Sequence, residues 1–125
     1  MLINKLYTVE DIARGGDNKF TVTVKIDPGH DLFKGHFPEQ AILPGVCLME
    51  MVREIITEIK QNPVSLAQAQ NVKFLNIVNP LKDTVLKFEI EILEKDDALQ
   101  TNATSFLMDG TPNFKIKAKY ITGNK

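Results

Sequence analysis

The stretch GHFPEQAILPGVCLME, residues 35–50, gathers the residues best suited to chemistry. An unperturbed imidazole titrates at about pH 6.5, so His36 is a candidate general base. Glu50 follows in an apolar run, VCLMEMV, and a carboxyl in apolar surroundings has a raised pKa and can act as a general acid. Gly45 stands where that run begins. A backbone N–H at a helix N-terminus points outward with the positive end of the macrodipole behind it, and can stabilise an oxyanion or enolate. A base, an acid and an oxyanion donor together suit removal of a proton next to a carbonyl with loss of a β-leaving group. Each residue also has a plainer reading. His36 could cap a turn or pack in a polar pocket. Glu50 falls with Arg53, Glu54, Thr57 and Gln61 on one helical stripe that could simply be solvated.

Other chemistries fit less well. Cys47 could be a nucleophile at a helix N-terminus, but a lone Cys on an apolar helix is more often core. His30 reads as a loop residue that packs or hydrogen-bonds locally. There is no Cys/His cluster with zinc-ligand spacing, so no metal is expected. Neither a P-loop nor a dinucleotide fingerprint is present.

The elements that must position these residues follow from periodicity. Met49, Val52, Ile55, Ile56 and Ile59 recur at helical spacing, which predicts a helix from Val46 to about Gln61, stopped by Asn62-Pro63. Its nearly all-apolar first half predicts an end buried from several sides. Residues 27–45 form a Pro- and Gly-containing segment that also carries Leu32, Phe33, Phe37, Ile42 and Leu43, so it is expected to pack down on the protein. TVEDIA and FTVTVKID, around RGGDNK, read as a hairpin. NVKFLNIV is a further strand candidate, and TVLKFEIEIL, LQTNATSFLM and FKIKAKYIT read as an antiparallel meander. One long helix against such a sheet predicts an α+β domain spanning 1–125.

Composition narrows the setting. With 43% hydrophobic and 25% charged residues, the chain has a globular make-up. A formal net charge of −1 with dispersed Lys and Arg argues against a nucleic-acid partner. One cysteine excludes an internal disulfide, and no apolar run approaches the ~18–20 residues needed to cross a bilayer. The expectation is a cytoplasmic protein with no membrane partner.

Residues 30–50, HDLFKGHFPEQAILPGVCLME, resemble the signature of the β-hydroxyacyl-ACP dehydratases of the hotdog fold, approximately G-H-F-P-G-x-P-I-x-P-G-V with an acidic residue shortly after. Gly35, His36, Phe37, Pro38, Ile42, Pro44, Gly45, Val46 and Glu50 match in register, and NVKFLNIVNPLKD resembles the strand and turn that follow. The resemblance implies a curved antiparallel sheet wrapped around one long central helix. It implies a homodimer, or a higher oligomer, with an acyl tunnel at the interface, and sites formed by His36 of one subunit and Glu50 of the other. His36 would take the C2 proton of a 3-hydroxyacyl group carried on acyl carrier protein. The Gly45 N–H would polarise the thioester carbonyl, and Glu50 would protonate or position the departing C3 hydroxyl, giving a trans-2-enoyl thioester. Phe37, Pro38, Ile42, Leu43, Pro44 and Val46 would line the substrate path. No cofactor of the protein's own is implied, since phosphopantetheine belongs to the substrate.

Three positions depart from that pattern. Glu39 stands where the family usually has Gly, Ala41 where it has Pro, and Glu54 where it often has Gln. A second carboxylate one turn from Glu50 could raise the pKa of one of the two. These changes suit a specialised dehydratase, for polyene-type or hydroxy-fatty-acyl lipids, as a variant of the fatty-acid role. Two alternatives use the same residues: a hotdog thioesterase in which Glu50 activates water, and a non-catalytic acyl-carrier-protein binding module.

Overall fold

Alternation of apolar and polar residues builds most of the sheet. Phe20, Val22, Val24 and Ile26 are buried in β2 (Lys19–Ile26), as are Leu86, Phe88, Ile90 and Ile92 in β4 (Val85–Lys95). Phe114, Ile116, Ala118 and Tyr120 do the same in β6 (Pro112–Thr122). A period of two is what places these residues on one face of a pleated strand. The computed structural model describes residues 1–34 and 42–123.

Strands β1 (Tyr7–Arg14), β2, β3 (Val64–Phe74), β4, β5 (Ala98–Phe106) and β6 form one antiparallel sheet in the order β1-β2-β4-β5-β6-β3. The β1–β2 hairpin and the β4–β5–β6 meander are those expected from sequence. Lys95 pairs with Ala98, so Asp96 and Asp97 alone make the β4–β5 turn, both at positive φ. That geometry matches the right-handed twist of the flanking strands.

β3 differs from expectation. Only the first half of NVKFLNIV, residues 71–74, is strand; pairing with β6 begins earlier, at Val64, and ends at Phe74, with two register shifts on the way. β3 is an edge strand, exposed along most of its length, so polar Ser65, Gln68 and Gln70 stand where a core strand would show apolar alternation.

Helix α1 (Gly45–Lys60) lies against this sheet. Pro44 is its N-cap, and Gln61 ends it in the left-handed conformation, its N–H bonded to the Thr57 carbonyl. Cys47, Leu48, Met51, Val52, Ile55 and Ile56 enter the core with the inward residues of β2, β4 and β6. One helix on a six-stranded antiparallel sheet is the α+β hotdog fold. No helix among the described residues is long and apolar enough to cross a membrane.

The described part of the 27–45 segment is more open than expected. A short 3-10 turn, Asp31–Phe33, contains no buried residue, although Phe33 packs partly on the core. His30 caps it, its Nδ1 accepting from the Leu32 N–H at 3.0 Å, which is the local role read from sequence.

Candidate active site

Gly45 is the first residue of α1, so its N–H has no acceptor within the helix, and Pro44 offers no side-chain cap. The position is built for glycine. A Cβ placed there would stand 2.4 Å from Cε1 of Phe74, whose ring lies over the Gly45 backbone and stacks on Phe114 with centroids 5.3 Å apart. Phe74 is thus a component of the site that sequence reading assigned only to a strand.

Around this point apolar side chains remain uncovered. Val46 is 73% exposed, Ile77 67% and Phe74 57%, with Ile42 and Leu75 also open. The Leu43 N–H donates to the Val78 carbonyl at 2.9 Å, which ties the segment before α1 to the segment after β3. The N-terminal end of α1 is therefore not buried from several sides in the single chain. Of the expected substrate-lining residues, Ile42 and Val46 are exposed, Pro44 is half-buried and Leu43 is turned into the core. His36, Phe37 and Pro38 lie outside the described residues, as do Glu39 and Ala41.

Glu50 projects from the open face of α1 and is paired with Arg53. The Arg53 Nε donates to one carboxylate oxygen at 2.8 Å and an Nη to the other at 2.6 Å. These two bonds hold Glu50 below the usual carboxylate range, with partial burial acting the other way. The raised pKa expected from the apolar run is thus corrected. The neighbours in sequence are apolar, but the neighbour in space is a guanidinium three residues on.

Glu54 is also not where the solvated stripe would place it. It is 1% exposed. Its carboxylate accepts from the N–H groups of Leu2 and Ile3, both at 2.8 Å, and from the Tyr7 hydroxyl at 3.0 Å. Burial first, then the adjacent Glu54 charge, push the Tyr7 phenol far above its ordinary value. The second Arg53 Nη also donates to the Val64 carbonyl at 3.1 Å, where β3 begins. Cys47 is buried and its thiol is pushed up by that burial, which fits a core residue and not a nucleophile. No group of His, Cys, Asp and Glu among the described residues could hold a metal ion.

Residues 12–109 match the family described as ApeI-like, ApeI dehydratase. The chain is similar to the 3-hydroxyacyl-[acyl-carrier-protein] dehydratase FabZ of Halalkalibacterium halodurans, at 32% identity over 100 residues. That alignment covers 74% of this chain and 66% of the relative, so the chain spans just under two thirds of that relative's length. Among solved structures, the dehydratase heterocomplex ApeI:P from Xenorhabdus doucetiae superposes with a TM-score of 0.74 at 24% identity, covering 90% of this chain and 96% of that one. A hypothetical thioesterase from Streptococcus pneumoniae TIGR4, solved with coenzyme A, gives 0.67 at 15% identity, covering 95% and 87%. At those identities the likeness is one of fold.

Proposed function

The chain belongs to the ApeI-like dehydratase family, and from that premise we propose that it dehydrates a 3-hydroxyacyl thioester carried on acyl carrier protein to the trans-2-enoyl thioester. The observation that carries the reading is the placement of Gly45 and Glu50 at the open end of α1. Gly45 opens the helix with an N–H that has no acceptor within it, and Glu50 follows on the helix's open face.

In this reading the Gly45 N–H donates to the thioester oxygen and stabilises the charge that develops there when C2 loses its proton. His36 of one subunit takes that proton, a role carried by the matching motif, while Glu50 comes from the other subunit. Glu50, held as a carboxylate by Arg53, accepts from the C3 hydroxyl and orients it. The electrons of the C2–H bond form the C2=C3 bond, and those of the C3–O bond leave with oxygen. The proton gathered by His36 returns to that oxygen, so one water departs and no co-reactant is needed.

A second hotdog subunit, a copy of this chain, covers the exposed patch of Ile42, Val46, Phe74, Leu75 and Ile77 and completes the tunnel. The solved relative with the ApeI:P composition is a heterocomplex, so a related chain in place of the second copy is the variant to check for.

The test is turnover of 3-hydroxyacyl groups on acyl carrier protein, followed by enoyl formation and by free-thiol release. Wild-type protein is expected to form the enoyl product without releasing thiol. Glu50→Gln is expected to lose about 10²-fold or more. Full activity in that variant, or thiol release as the main reaction, overturns the assignment.

A further inference from the structure

The Glu50 carboxylate is not free to choose its position. Arg53 grips both of its oxygens, and the guanidinium is itself held at two other points. One Nη reaches the Val64 carbonyl at 3.1 Å, and the other lies 3.9 Å from Glu54, an ion pair without a hydrogen bond. Glu54 in turn is locked by Leu2, Ile3 and Tyr7. The chain of contacts thus runs from the amino-terminal segment through the buried carboxylate to the guanidinium and out to Glu50.

We infer that Arg53 is a positioning residue for the proposed reaction, a fork anchored on β3 and backed by Glu54 that fixes the Glu50 carboxylate in the orientation used on substrate. The inference rests on the reading of Glu50 as the site carboxylate. A planar guanidinium suits the task because its donors match both carboxylate oxygens at once, whereas a lysine ammonium is a point charge on a flexible stem. The pair is only partly exposed, with 27% of the Arg53 side chain and 37% of the Glu50 side chain open to solvent. A side chain held in one rotamer loses less on meeting substrate than one that must first be ordered.

Among the described residues, few charged and titratable groups face Glu50. On α1 they are Arg53 and Glu54. From β1 comes Tyr7, from β6 Tyr120, and from the chain start the α-amino group of Met1. Burial pushes the Tyr120 phenol up to about 12, and Tyr7 is raised as well, so both phenols stay neutral through the working range. Among the described residues Arg53 is the largest influence lowering the Glu50 pKa.

The test uses Arg53→Lys and Arg53→Gln in the full chain, with kcat, KM and the acid limb of the pH–rate profile measured for each. A ¹³C titration of the Glu50 carboxyl in the free protein runs alongside. Arg53→Gln is expected to lose between about tenfold and a hundredfold in kcat with KM little changed. Its acid limb and its Glu50 titration should both move to higher pH. Arg53→Lys should recover part of the titration shift, because charge returns, and little of kcat, because the fork does not. A merely structural arginine would lower stability and leave the acid limb in place. Folded variants with wild-type kcat and acid limb overturn the inference while leaving Glu50 in its role. If Glu50→Gln is itself fully active, the reading of Glu50 falls instead. Should Arg53→Gln not fold, the lysine variant and its titration decide the matter alone.

Discussion

Two faces of α1 carry opposite chemistry. One holds Cys47, Leu48, Met51, Val52, Ile55 and Ile56, and each is buried. The other holds Val46, Glu50, Arg53 and Thr57, and none is buried. Glu54 lies at the border between them and is nonetheless one of the most buried residues in the protein, because the amino-terminal segment crosses the helix there. Apolarity on this helix thus has two uses. On the covered face it contributes to folding; at Val46 it is left open, and in the proposed function it meets a partner surface or a substrate.

Truncating an apolar side chain on each face should have very unequal effects. Met51 is wholly buried, so Met51→Ala is expected to cost about 2–5 kcal/mol in denaturant unfolding. Val46→Ala, on the open face, should stay within ~0.5 kcal/mol when measured on the isolated chain. Equal losses at both positions would show that the open face is already packed.

The border between the faces gives a smaller effect. Tyr7→Phe deletes the hydroxyl that donates to Glu54 at 3.0 Å and leaves the ring in place. A buried hydrogen bond to a charged acceptor is expected to be worth about 1–3 kcal/mol here. Because Leu2 and Ile3 still donate to the carboxylate, the loss should fall toward the lower end. An unchanged unfolding midpoint would show that the strap over the helix does not hold Glu54.

Much of this arrangement was legible in the residues, and the exceptions share a cause. β2, β4 and β6 are buried on one side, so their alternation is plain, and the helix was readable within a residue at each end. The start of β3 at Val64 has no apolar signal because an edge strand needs no apolar face, and the apolar residues within 72–78 mark only its end. Glu50 was found by its place in the motif, but its company was not. The i,i+3 spacing of Glu50 and Arg53 was a usable signal, since such pairs meet on a helix surface. The burial of Glu54 had no local signal, because its donors lie some fifty residues away in sequence.

The smallest effect expected is electrostatic, and it separates the two jobs of Arg53. The folded-state pKa of Glu50 is lowered, so its pairing adds stability that is fully present above the unfolded carboxylate value of about 4.3 and is lost as pH falls through the folded value. More than a third of the Glu50 side chain is exposed, so solvent screening should keep this below ~1 kcal/mol. Comparing wild type with Arg53→Gln by urea unfolding, from about pH 7 to about pH 3, isolates it. The gap between the two proteins should narrow as Glu50 protonates, and added salt at neutral pH should narrow it too. What persists in acid is the bond from Arg53 to the Val64 carbonyl, which does not titrate. A gap that stays constant across the range would mean that Arg53 serves β3 alone, and that Glu50 owes its position to something else.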